Sequence, residues 1–86
     1  MVVERQKTKA QVQRERVNRA VVTVWSATRR DADLSQEALA KRLGWSRDTV
    51  ASIEAGRRKV EVADIVLLAS VLDLKPETLF GRILRW

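Results

Sequence analysis

Apolar residues recur at helical spacing in five places along this 86-residue chain, and short polar breaks separate them. Val17, Val21, Val24, Trp25 and Thr28 fall on one stripe, which predicts an unusually long first helix from Gln11 to about Arg30. Leu34, Leu39 and Leu43 share the next stripe; Ser35 stands before a helix expected over Gln36 to Leu43, as an N-cap whose hydroxyl accepts an orphan backbone N–H. Gly44 follows the last apolar residue, where a helix commonly ends in the left-handed conformation that glycine adopts most cheaply. Ser46 offers another cap, Val50 and Ile53 mark the inward face of a third helix, and Gly56 closes it. A fourth helix is expected over Val60 to Leu72, with Ile65, Leu68, Ala69 and Leu72 inward. Pro76 suits the first position of a short fifth helix that holds Leu79 and Phe80 and stops at Gly81. Residues 1 to 10 lack an apolar period and read as a basic, disordered arm; residues 11 to 80 form the folded domain, and residues 81 to 86 an apolar tail. The expectation is an all-α bundle of five helices.

Within this pattern, Leu34 to Gly56 reads as two short helices joined by a tight glycine turn, the plan of a helix-turn-helix. The outward face of the second helix carries Arg47, Asp48, Thr49, Ala51 and Ser52. These groups are short or polar and let the backbone approach another surface closely, which suits a DNA groove better than a bilayer.

Composition narrows the chemistry. The chain has no cysteine and no histidine, which removes thiolate nucleophiles, disulfides, zinc fingers and the commonest neutral-pH general base. No nucleophile–base pair suggests an enzyme, and neither metal nor cofactor is expected. The longest apolar run, Ile65 to Ala69, is far short of a spanning helix, and the N-terminus lacks an apolar signal core, so the expected location is cytoplasmic, on the nucleoid when bound to DNA. Net charge is +6, and residues 1–30 carry all of it, with 8 basic groups against 2 acidic ones. Residues 41–59 add a local +4 that flanks the third helix, including the run Arg57, Arg58 and Lys59. Positive surfaces of this kind bind phosphates by releasing condensed counterions.

The order of the elements, with Leu34-Ser35-Gln36, Leu39-Ala40, Gly44, Ser46-Arg47, Ile53-Glu54-Ala55-Gly56 and Arg57-Arg58, closely resembles the Cro/phage-repressor family of helix-turn-helix domains, also called the xenobiotic-response-element type. The resemblance spans about residues 17 to 80 and is most specific in the central 25 or so. It implies a lambda-repressor-like five-helix bundle that binds double-stranded operator DNA as a two-fold dimer, with the recognition helix at Arg47 to Ala55. On this resemblance Gln36 touches a phosphate and braces the reading helix, while Arg47, Asp48, Thr49 and Ser52 face bases or adjacent phosphates. Arg47 is the foremost base reader, because a guanidinium donates two parallel hydrogen bonds to guanine. Asp48 either accepts from cytosine or stabilises its own helix N-terminus. Ser46, Arg57, Arg58 and Lys59 complete the expected DNA-binding set. Glu54 matches an acidic position that pairs with an arginine seven residues before the glutamine, here Arg29, so both are assigned to the scaffold.

Three departures stand out. Val60 occupies a place where many members carry proline, and Trp45 replaces a smaller residue in the turn. Trp45 has two readings, an indole donating to the sugar–phosphate backbone or a ring packed on the first helix. The third departure is the long basic segment before Val17, for which a minor-groove arm, diffuse phosphate contact and an extended dimerising helix all remain open. Ile83, Leu84 and Trp86 are expected to form a two-fold interface or to close the core. The function that fits is a sequence-specific DNA-binding transcriptional regulator acting as a repressor. An antitoxin or a phage or plasmid control protein that holds a protein partner through the tail is an alternative, and an adaptor without specific DNA binding is another.

Overall fold

A computed structural model describes residues 6–86. Five helices follow one another: α1 (Lys9–Asp31), α2 (Gln36–Leu43), α3 (Arg47–Glu54), α4 (Val62–Val71) and α5 (Pro76–Arg85). The described residues contain no strand. α2 packs against α3, α1 leans on α5 and α3, and α4 bridges α2 and α5. The molecule measures 53 × 26 × 19 Å, because the first turns of α1 run out beyond this bundle.

The local signals act where the sequence places them. Ser35 Oγ accepts from Ala38 N at 3.0 Å and starts α2, and Ser46 Oγ accepts from Thr49 N at 3.3 Å and starts α3. Gly44 ends α2 at φ 73°, and the chain reverses there as Trp45 N donates to Ala40 O at 2.9 Å. Gly56 sits at φ 76° after α3. Asp33 and Asp73 take the same left-handed conformation in the other two turns, a role the polar Asp side chain tolerates. Leu34 lies in the first of these turns and packs on the core from outside any helix.

Three boundaries differ from the sequence expectation. α1 begins at Lys9, inside the expected arm. Thr8 and Gln11 form a reciprocal capping box, Gln11 N donating to Thr8 Oγ1 at 3.1 Å and Thr8 N to Gln11 Oε1 at 2.7 Å. Residues 1–5 of that arm lie outside the described residues. At the other end Gly81 does not stop α5, and the expected tail continues the helix to Arg85. The reason is burial: Ile83 is 6% exposed and belongs to the core, so the turn that carries it stays helical. Leu84 and Trp86 remain outside, at 74% and 53% exposure. α4 also starts two residues later than expected, at Val62, where Glu61 N donates to the buried Asp64 carboxylate at 2.9 Å.

The core joins all five helices through Trp25, Leu39, Val50, Ile53, Leu68 and Leu79, each fully buried. Burying side chains of this size contributes about 1.5–3 kcal/mol apiece. This core fixes the orientation of α3, since Val50 and Ile53 are its inward face. Replacing Ile83 by alanine is expected to lower the stability to urea unfolding by about 2–5 kcal/mol, whereas Leu84→Ala, one position on, changes the stability of the single chain, at dilutions where it is monomeric, by less than about 0.5 kcal/mol. Equal effects would return Ile83 to the surface.

Candidate nucleic-acid interface

α3 is too short to be stable alone, so its outward face exists only because its inward face is anchored. With Val50 and Ile53 buried, Arg47 and Asp48 stand exposed, and Thr49, Ala51 and Ser52 are half-buried beside them. Ser46 is exposed at the cap, and its hydroxyl lies 3.0 Å from that of Thr49. These two expected contact residues are thus joined to each other at the leading end of α3, next to Arg47.

The trailing end of α3 is fixed by a charged cluster. Arg29 Nε donates to Glu54 Oε2 at 2.7 Å and Arg29 Nη2 to Glu54 Oε1 at 2.9 Å, a bidentate pair. Arg29 Nη1 donates to Leu34 O at 2.7 Å, and Gln36 Nε2 donates to Glu54 Oε1 at 3.2 Å. One carboxylate therefore links the end of α1, the start of α2 and the end of α3. The ion pair implied by the family resemblance is present, and the amide of Gln36 braces α3 directly.

The electrostatics follow from burial, with the two side chains only 13% and 9% exposed. Burial pushes the Glu54 carboxyl up; hydrogen bonds from Arg29 and then Gln36, the Arg29 charge and the Ser26 hydroxyl outweigh it, and the net direction is down. The Arg29 guanidinium is held above its ordinary value by the hydrogen bond to Glu54, against the effect of burial.

Trp45 packs on α1. Its ring stacks on Trp25 with centroids 6.1 Å apart and planes 4° from parallel, and the Arg58 guanidinium lies 5.3 Å from its centroid. Of the two readings of Trp45, this is packing on the first helix, with the ring half-buried. The buried Trp25 indole N–H has no hydrogen-bond partner among the described residues, so Trp25 is held by packing. Arg57 N and Arg58 N both donate to Ser52 O, at 2.9 and 3.2 Å, which ties the basic loop to the last turn of α3. Arg57, Arg58 and Lys59 are exposed. The stack and the cation–π contact were not legible in the sequence. Trp45 stands 20 positions from Trp25 and 13 from Arg58, and no local period connects them.

Because Glu54 is depressed in the folded chain, its stabilisation is fully present above the ordinary glutamate pKa of about 4.3 and is lost as pH falls through the lower folded value. Urea titrations across acid pH should show this loss, and Glu54→Gln should flatten it. Removing either partner alone is expected to cost about 3–5 kcal/mol at neutral pH, and a double-mutant cycle with Arg29→Met should return a strong coupling. Additive single losses would mean that the two side chains do not act as a pair.

A helix pair across a glycine turn, an amphipathic second helix with a polar outer face, and flanking cations form a surface suited to a DNA groove. The comparison with curated proteins returns no match. The family model described as a helix-turn-helix domain matches residues 26–80, from the second half of α1 into α5. This chain belongs to the helix-turn-helix domain family, of the Cro/phage-repressor type.

Proposed function

We propose that this chain is a sequence-specific transcriptional repressor that occupies a palindromic operator as a dimer, with α3 in the major groove. The observation that carries the reading is the face of α3: exposed Arg47 stands at its start, braced at its far end by Arg29, Gln36 and Glu54. Arg47 reads a guanine, and Thr49 and Ser52 lie along bases or the adjoining phosphates. Asp48, in the first turn, complements the helix dipole. Lys59 and Arg57 bind phosphates without regard to sequence, and Arg58 does so from its seat over Trp45. Gln36 keeps one hand on Glu54 and sits where the α2 N-terminus meets the backbone. The protein works in the cytoplasm, on the nucleoid when bound.

A dimer places two recognition helices about 34 Å apart, one turn of B-DNA. Leu84 and Trp86 are the exposed apolar groups at the C-terminal end that a two-fold interface would cover. The same exposed pair supports a second reading, an antitoxin or control protein that holds a protein partner there.

Selection of bound fragments from random DNA should return a two-fold symmetric site. On that site Arg47→Ala is expected to weaken binding by about 1–3 kcal/mol and to relax preference at one base position, while Lys59→Ala weakens binding to all sequences and lowers the salt slope by about 1. Equal losses on the selected site and on random DNA for Arg47→Ala would remove its base-reading role. Sedimentation should show a dimer, free or on DNA, that Leu84→Asp with Trp86→Asp converts to a monomer without loss of helicity. An unchanged mass in the double variant would place the interface elsewhere.

A further inference from the structure

The N-terminal half of α1 is a feature that the helix-turn-helix does not use. Residues 9–14 are exposed throughout, and burial of α1 against the bundle begins with the half-buried Glu15 and Val17 and is complete at Ala20. A solvated helical extension has no apolar reason to exist, yet this one is capped by the Thr8–Gln11 box. Its charge is one-sided: between Gln6 and Arg30, Glu15 is the one carboxylate, and Lys7 neutralises it at 2.9 Å. Lys9, Arg14, Arg16 and Arg19 form no salt bridge among the described residues.

Arg14 and Arg16 do not lie on the same face of α1. Asn18, Val21 and Val22 of α1 line one shallow hollow with Gly56, Arg57, Arg58, Lys59 and Val60, so this stripe of α1 borders the basic loop. Arg14 lies one turn before Asn18 and two before Val21, on the same stripe. A rise of about 1.5 Å per residue puts it about 6 Å farther out along the helix than Asn18. Arg16, two residues on, lines a different hollow with Val17, Ala20, Ile83, Leu84 and Trp86 and so faces the end of α5.

Resting on the DNA-binding reading above, we propose that α1 is a second phosphate-binding element, in which Arg14 and Asn18 continue the surface of Arg57 to Lys59 along the backbone of the duplex that α3 reads. The occupant is duplex DNA, because the face is cationic, its neighbouring carboxylate is neutralised, and the element it borders is itself a run of three cations. The contact is sequence-independent: it lengthens the footprint and adds affinity equally on every site. Arg16 is excluded from it by its position, which provides an internal control of identical charge on the same helix.

The experiment is a salt titration of binding to a random-sequence duplex of roughly 30 base pairs, long enough for two half-sites, by fluorescence anisotropy. Arg14→Gln should lower the slope of log affinity against log salt by about 0.9, the contribution of one phosphate contact. Arg16→Gln should leave both the slope and the sedimentation mass unchanged, and Arg14→Lys should restore the wild-type slope. Glutamine matches arginine closely in helix propensity, and circular dichroism confirms that α1 is retained. On a selected site Arg14→Gln should weaken binding by the same factor as on random DNA. Equal losses for Arg14→Gln and Arg16→Gln would reduce the effect to net charge and overturn the inference, as would no loss in either. A change of sedimentation mass with unaltered DNA binding would set this face against a second chain and overturn it too. If Lys59→Gln weakens binding while Arg14→Gln does not, the α1 contact alone falls; if the wild-type chain fails to bind duplex DNA, the reading beneath it falls as well.

Discussion

The Glu54 carboxylate holds together the parts of this molecule that have to stay in register. Its two oxygens accept from Arg29 on α1 and from Gln36 on α2, while its backbone ends α3. A short helix such as α3 has too few internal hydrogen bonds to be stable alone, and its two buried residues, Val50 and Ile53, anchor it to the core. The bidentate pair adds a direction, because a guanidinium and a carboxylate meet in one plane. Arg29 also donates to the carbonyl of Leu34, so the turn between α1 and α2 is held by the same side chain.

The turn before α3 and the loop after it are stabilised by different physics. Trp45, in the turn, stacks on Trp25 from α1, and Arg58, beyond α3, covers the Trp45 ring. This sequence of contacts runs from core to surface: a buried indole, a half-buried indole and an exposed cation. It places the basic loop against the bundle while leaving Arg57 and Lys59 free to face a polyanion. The helix-turn-helix is thus held by an ion pair and an aromatic stack, and both use α1 as their base, through Arg29 and Trp25 one turn apart. α1 is longer than core packing requires, and its surplus length is basic.

Much of this was legible in the residues. The serines at 35 and 46 and the glycines at 44 and 56 set the helix ends found in the fold, since each acts on backbone groups within a few positions of itself. The residues expected on the outer face of α3 are on it, and Arg29 and Glu54 meet as the family resemblance implied. The misread ends of α1 and α5 have separate causes. Thr8 and Gln11 form a cap that lies outside any apolar period, and Gly81 resembles a stop signal although the residue after next is needed in the core. A lone glycine costs a helix about 1 kcal/mol, which the burial of Ile83 exceeds.

By itself, then, the sequence determined what is local: the number and type of the elements, their caps and turns, and which face of α3 turns outward. Only the tertiary structure decided which distant side chains share a neighbour. It set Trp45 on Trp25 and Arg58 over Trp45, drew Ile83 inward while leaving Leu84 and Trp86 out, and brought Asn18 beside the basic loop. The division has a physical basis. Capping and periodicity depend on hydrogen bonds spanning three or four residues, whereas these placements depend on packing partners that no local pattern connects.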